Sequence, residues 1–352
     1  MKFLPVTPES LEEAAGILRS GGLVAFPTET VYGLGADAFN PSALAKVFDV
    51  KRRPRFDPLI IHISAIEALE NTADLSALCG ETRKKLFLLA ENLWPGPLSI
   101  VLPKNEKIPG IATAGLSTAA IRFPDHETAQ KLISLSGTAV AAPSANPFGS
   151  LSPTRAEHVR SGLGEKVDMI LDGGPARIGV ESTVLDITGG SVKILRPGGT
   201  PKEAIEKLIG PVENNFLAGD ADAGLASPGQ LESHYAPRTP LMAYPYESFI
   251  RLPYTVADNA YLFFDGSSRD AWLARQCEKP PDTAVIRVLS ETGSVLEAAA
   301  RLFETLHEID SYNRKITLIH AQLAPPQALG EAINDRLRRG SIRSSLPKNT
   351  SS

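Results

Sequence analysis

Cysteine is nearly missing from this sequence. The two copies in 352 residues, Cys79 and Cys277, stand far apart and match no paired metal or redox spacing. That excludes a disulfide scaffold and points to a reducing, cytoplasmic setting. Histidine is also sparse. Its six copies (His62, His126, His158, His234, His307 and His320) show no zinc-ligand spacing, so no metal site is expected in the protein itself. No apolar run approaches the ~18–20 residues of a membrane span, and Met1–Pro5 leads straight into a helical pattern. Neither G-x-x-x-x-G-K-[ST] nor G-x-G-x-x-G occurs, so no standard phosphate loop is present. Positive charge is not in excess: 36 basic against 40 acidic side chains give a net charge of -4, which argues against a general nucleic-acid coat.

What is present is globular. Hydrophobic residues make up 43% and charged residues 22%, which excludes wholesale disorder. The length suits two domains. In the first part, short apolar runs alternate with helical spacing. Leu23–Phe26, Leu59–Ile63, Leu98–Leu102, Ala119–Phe123, Thr138–Ala142, Met169–Leu171, Thr183–Ile187 and Val192–Leu195 read as strands. Leu11–Leu18 (N-cap Ser10), Ser42–Val50, Glu81–Leu93 and Pro201–Ile209 read as helices. Many short strands with few helices predict an α/β domain with a mixed sheet over 1–209. Residues 210–239 lose periodicity and read as a linker or lid. After Pro240 a βαβα rhythm predicts a small three-layer domain with a parallel sheet over 240–340. Its strands are Tyr261–Phe264, Val285–Leu289 and Thr317–His320. Its helices are Asp270–Cys277, Val295–Glu308 and Pro326–Arg338. The Ser- and Arg-rich residues 341–352 are expected to fray.

Several strand ends carry polar residues. Pro27–Gly35 follows a strand and sets three hydroxyls and Glu29 in a glycine-punctuated loop. It reads equally as a ligand loop or as a capped strand-to-helix turn. Lys51-Arg52-Arg53-Pro54-Arg55 fits three roles: a cationic helix C-terminus, a triphosphate clamp, or a contact to an RNA backbone. His62 ends an apolar run, where a lone histidine is more often a satisfied core residue. Ser144 and Asn146 close a small-residue strand end, with no Ser–His–Asp setting. Ser152 and Thr154 precede a helix and read as caps or as part of an anion site. Arg122, Glu181-Ser182 and Arg196 lie at three further strand ends, and their recurrence is the informative part.

Taken in order, these runs resemble the YrdC-like domain. The motifs are Pro27-Thr28-Glu29-Thr30-Val31-Tyr32-Gly33-Leu34-Gly35, Lys51-x-Arg53-Pro54, Pro58–Ile63, Trp94-Pro95-Gly96-Pro97, Ala119–Pro124, Ser144-x-Asn146, Glu181–Val184 and Ile194–Gly198. The likeness spans roughly residues 8–209. Ser227-Pro228-Gly229, His234-Tyr235-Ala236-Pro237 and the C-terminal region resemble the long, two-domain branch, the L-threonylcarbamoyladenylate synthases. The resemblance implies a YrdC-like domain with a mixed twisted sheet, followed by a smaller Rossmann-like three-layer α/β domain. It also implies an ATP-dependent nucleotidyltransferase that joins L-threonine and bicarbonate to AMP for the t6A modification at tRNA position 37.

The same resemblance implies the site residues. Lys51, Arg53, Ser144 and Asn146 match the catalytic signature. Arg53, Thr118, Ser144, Ser152, Arg196 and Tyr235 match ATP positions. Thr30, His62, Arg122, Ala142 (through its backbone) and Ser182 match L-threonine positions. Two positions depart from the pattern: Arg52 stands where the family usually has Gly, and Asp57 where it usually has Asn. An ionised Asp57 accepts hydrogen bonds only and would repel a triphosphate unless Mg²⁺ intervened.

The reaction needs no enzymatic nucleophile, so cations and hydroxyls without a triad are in keeping with it. Mg²⁺ is expected to arrive with ATP, held by phosphates. A downstream threonylcarbamoyl transferase complex is the expected recipient, and weak RNA binding is a further expectation. The alternative is a non-catalytic double-stranded RNA-binding module using the same basic run. The last expectation concerns Val212–Pro237, read as a lid that folds back over the first domain's cleft.

Overall fold

The computed structural model describes residues 1–215, 235–255, 258–278, 280–281, 284–312 and 316–341. Among these, the strands form two sheets of eleven and four strands. In spatial order the large sheet runs Lys2–Pro5, Met169–Asp172, Val24–Phe26, Gly33–Asp37, Val140–Ala141, Ile60–His62, Thr118–Arg122, Leu98–Pro103, Thr183–Asp186, Lys193–Arg196 and Glu213–Asn214. Parallel and antiparallel pairs mix, as the strand pattern predicts. Ile60–His62 runs parallel to Thr118–Arg122 and antiparallel to Val140–Ala141.

The apolar runs are nearly continuous because both faces of the central strands are covered. Ile61, Ile100, Ile121 and Ala141 pack with Val47, Leu86 and Leu89 on one face. Val24, Phe26, Val140 and Met169 pack on the other against Leu11 and Leu18 of the helix Pro8–Arg19 and Leu132 of the helix Glu127–Ser136.

The second sheet is wholly parallel, in the order Leu241–Tyr244, Leu318–Gln322, Asn259–Asp265 and Val285–Ser290. The helices Val295–Asp310 and Gly330–Gly340 cover one face with Leu302, Phe303, Ile333 and Leu337. Phe249, Tyr261, Phe263 and Trp272 form an aromatic layer on the other. This is the expected three-layer domain.

The two parts meet closely. The rings of His158 and His307 stack with centroids 3.9 Å apart, and Arg155 pairs with Glu304 at 2.6 Å. Gly179 has φ +76, and a Cβ there would lie 2.4 Å from the Ala299 carbonyl oxygen, so only glycine admits this approach.

Several local readings change, among them the helix expected over Asp270–Cys277, which runs Gly266–Leu273. The N-cap of the first helix is Thr7; Ser10 completes the capping box from the third helical position. Pro27–Tyr32 does not lead into a helix. It turns between the antiparallel strands Val24–Phe26 and Gly33–Asp37, so the loop is a hairpin connection. Lys2–Pro5 and Leu241–Tyr244 are strands that the pattern did not announce. The motif Ser227–His234 and the tail 342–352 lie outside the described residues.

Arg52 caps the helix Pro41–Lys51 in the left-handed region, at φ 53. A side chain there costs on the order of 1 kcal/mol. The glycine that the resemblance leads one to expect here would carry no such cost. Arg52→Gly is expected to raise stability by about 0.5–1 kcal/mol without changing activity. Chemical denaturation of the two proteins checks it.

Candidate functional site

The parallel register sets His62 beside Arg122 at one end of the central strands. Ala142 follows the neighbouring antiparallel strand, and its N–H donates to the Ile60 carbonyl at 2.9 Å. These strand ends, the hairpin turn at Thr30 and the turn at Ser144 enclose a cleft. Arg53, Glu181, Ser182, Arg196 and Tyr235 complete its walls. Three arginines therefore converge on one small space, a charge pattern suited to carboxylate and phosphate groups. A larger groove beside Phe39, Asn71 and Thr138 has Lys107 as its one charged lining residue, and no comparable convergence.

Each arginine is held in place. Arg122 pairs with Glu29 at 2.7 Å, and both side chains are buried. Arg53 pairs with Asp57 at 2.8 Å and donates to the Asp57 and Pro58 carbonyls. Arg196 donates to the Ser182 carbonyl at 2.8 Å and to its hydroxyl at 3.2 Å. The Ser182 hydroxyl in turn bonds that of Ser99 at 2.8 Å. The backbone at Gly198 lies against Glu181 and Ser182, where a Cβ would fall 2.3 Å from the Glu181 carbonyl oxygen.

Asp57 is fully buried, outside the cleft lining, and burial pushes its carboxyl up while Arg53 pulls it down. It works as the counter-ion behind Arg53, and so does not face a phosphate. Lys51 also lies behind the wall. Its ammonium donates to the Ser144 and Asn146 carbonyls, and burial and the nearby Arg53 charge depress its pKa well below the usual range. Asn146 donates to the Pro147 and Ser150 carbonyls. The Lys-x-Arg and Ser-x-Asn signature is thus one interlocked unit, with Arg53 and Ser144 facing the cleft and Lys51 and Asn146 fixing the turn.

Comparison with known proteins decides the lineage. The family model described as Telomere recombination (Sua5–YciO–YrdC) matches residues 16–198. A second, described as Threonylcarbamoyl-AMP synthase, C-terminal domain, matches residues 200–341. The chain belongs to the Sua5/YrdC family. Among Sua5/YrdC relatives, Threonylcarbamoyl-AMP synthase of Pyrococcus abyssi is 40% identical over 93% of each chain. The protein of the same name from Bacillus subtilis is 39% identical over 96% of each. A crystal structure of Pyrococcus abyssi Sua5 complexed with L-threonine superposes with TM-score 0.81, at 36% identity, covering 97% of this chain and 96% of that one.

Of the positions that the Sua5/YrdC resemblance marked, Arg53, Ser144, Arg196, Tyr235, Thr30, His62, Arg122, Ala142 and Ser182 line the cleft. Lys51, Asn146, Thr118 and Ser152 do not. Thr118 opens the strand that Arg122 closes, roughly 13 Å away along the chain. Ser152 is fully buried and donates its hydroxyl to Glu181, acting on the cleft through that carboxylate. Of the expected lid, only its ends can be described: Tyr235 is buried and lines the cleft, and the Ala236 N–H donates to the Gly149 carbonyl at 2.8 Å. The resemblance assigns no ligand role to Glu29, Asp57 or Glu181, although each lies in or beside a motif; in the structure they partner Arg122, Arg53 and Ser152. Among the described residues, no group of three or more His, Cys, Asp or Glu side chains forms a metal site.

Burial, with the Arg122 charge beside it, pulls the His62 pKa down to about 3. His62 therefore presents a neutral imidazole at physiological pH. The unfolded chain takes up this proton near pH 6.5 and the folded one near 3, so stability falls as pH drops through that window. At pH 5 the expected loss from this group is about 2 kcal/mol relative to pH 7. Urea titrations at both pH values should show it, and His62→Gln should narrow the difference. An equal difference in both proteins would contradict a buried neutral His62.

Proposed function

We propose that this chain makes threonylcarbamoyl-AMP from L-threonine, bicarbonate and ATP, releasing pyrophosphate, as the first step of t6A formation at tRNA position 37. The observation that carries the reading is the single cleft on which Arg122, His62, Thr30 and Ser182 converge with Arg53, Ser144, Arg196 and Tyr235.

The chemistry follows from these groups. Arg122, charge-balanced by Glu29, receives the threonine carboxylate. The neutral imidazole of His62 and the small polar wall at Thr30 and Ala142 orient the amine and hydroxyl. The amine nitrogen bonds to the carbon of bicarbonate-derived CO₂ and loses a proton, giving a carbamate. A carbamate oxygen then attacks the α-phosphorus of ATP, the bond to the β-phosphate bridging oxygen breaks, and pyrophosphate leaves. Arg53 and Arg196 stabilise the charge that builds on the phosphate oxygens. Mg²⁺ enters as part of the substrate MgATP: among the described cleft-lining residues Glu181 is the one carboxylate, and Ser152 and Arg336 already hold it. The product is an energy-rich mixed anhydride, so a carbamoyl transferase acting on tRNA must take it up.

A surface for double-stranded RNA is not favoured. Lys51 and Arg53 of the basic run are buried, which leaves Arg52 and Arg55 exposed, and backbone binding needs outward cations. Mass spectrometry of the reaction mixture tests the proposal: an adduct of threonine, CO₂ and AMP is expected, and AMP with free threonine alone would count against it.

Side-chain choice gives a second check. Serine lacks one methyl group, worth about 1–3 kcal/mol, so it should bind about 10- to 200-fold more weakly than threonine. Valine lacks the hydroxyl and leaves buried polar groups unmatched, so it should be weaker than serine. Calorimetry with the three amino acids gives the order, and tighter binding of valine than serine would contradict this placement.

A further inference from the structure

The helix Gly330–Gly340 of the C-terminal domain sends Arg336 into the wall of the cleft. Arg336 is fully buried, with 2% of its surface exposed. Its Nε donates to Glu181 Oε2 at 2.7 Å, and Nη1 donates to the Pro197 carbonyl at 2.9 Å. Its guanidinium carbon stands 4.8 Å from the centre of the Tyr235 ring. Asp335 pairs with it at 2.7 Å and with Arg339 at 2.8 Å, so the fork is fixed from its own helix. The helix is seated against the same tyrosine: a Cβ at Gly340 would lie 2.8 Å from the Tyr235 carbonyl oxygen.

All three contacts reach residues tied to positions read as ATP contacts, namely Ser152, Arg196 and Tyr235. Glu181 lines the cleft and accepts the Ser152 hydroxyl. Pro197 directly follows Arg196. Tyr235 lines the cleft itself. Among the described residues, no hydrogen bond or ion pair of Arg336 reaches Thr30, His62, Arg122, Ala142 or Ser182. Buried ion pairs add little to stability over apolar packing of the same shape, but they fix orientation. A planar fork that holds a carboxylate and a carbonyl while stacking on a ring sets three wall elements at once.

We propose that Arg336 is a positioning residue for the nucleotide, through which the C-terminal domain shapes the ATP side of the cleft and not the threonine side. This rests on reading Ser152, Arg196 and Tyr235 as that side. Calorimetric binding of ATP and of L-threonine to the full chain tests it without requiring turnover, so a failure of the proposed reaction would show separately, as absent pyrophosphate in the unaltered protein. The variants are Arg336→Lys, which keeps the charge but loses the fork and the stack, and Arg336→Met with Glu181→Gln, which leaves no unpaired buried charge.

Arg336→Lys should bind ATP about tenfold or more weakly, with threonine affinity within about twofold of the unaltered protein. The double variant should keep the unaltered melting temperature and still bind ATP weakly. Three results would overturn the proposal: unaltered ATP affinity in Arg336→Lys, equal weakening of both ligands, or ATP affinity in the double variant restored along with its stability.

Discussion

Arg53→Ala is expected to reduce pyrophosphate release by about 30-fold to several thousand-fold, corresponding to about 2–5 kcal/mol for one lost partner of a buried charge pair. Arg53 faces the cleft while Asp57 holds it from behind at 2.8 Å. Its removal has two effects that a single variant confuses. The transition-state charge loses a cation, and the fully buried Asp57 loses its counter-ion. Arg53→Met combined with Asp57→Asn separates them, because the second change removes the orphaned charge. That double variant should approach the unaltered stability in denaturant titrations and remain nearly inactive. A folded double variant with near-normal turnover would show that Arg53 serves only to neutralise Asp57.

Arg122→Leu should have the second large effect, on threonine. The residue joins a cleft wall to Glu29, a buried carboxylate 2.7 Å away. Breaking a buried pair by removing one partner costs about 3–5 kcal/mol of stability. Losing the carboxylate clamp should weaken threonine by a further factor of roughly 30 or more. Arg122→Leu with Glu29→Gln should recover much of the stability and none of the threonine affinity. ATP binding should change little in either variant, because Arg53 and Arg196 are untouched. Threonine bound normally by the stable double variant would place the amino-acid carboxylate elsewhere.

The candidate site was legible in the sequence where a short motif sits at a strand end. His62, Arg122, Ser182 and Arg196 each close or open a run of buried apolar residues, and a mixed sheet gathers those ends into one cleft. Direction was not legible. Lys51 and Arg53 lie two apart in one basic run, yet Lys51 turns under the Ser144–Asn146 turn and Arg53 faces the cleft. Nothing in a run of cations encodes which one will be buried against carbonyls. Partnership at a distance was equally hidden. Lys2–Pro5 pairs with Met169–Asp172 across most of the first domain, and a four-residue edge strand ending in proline carries almost no local signal. Arg336 lies in a polar-looking helix end beside two further arginines, so its burial against Glu181 depends wholly on how the domains dock. The ligand-loop reading of Pro27–Gly35 fits, since Thr30 lines the cleft, but the hairpin itself is hidden for a related reason: glycines at 33 and 35 resemble turn residues, although Gly35 is a strand position where a Cβ would fall 2.8 Å from the Phe26 ring.

The most direct test of the whole account is an omission experiment on the purified full chain. Pyrophosphate release is followed with L-threonine, bicarbonate and MgATP together, and again with each left out in turn. The account predicts release only when all three are present, because the leaving group departs only after a carbamate exists to attack the α-phosphate. Equal release without threonine or without bicarbonate would contradict it.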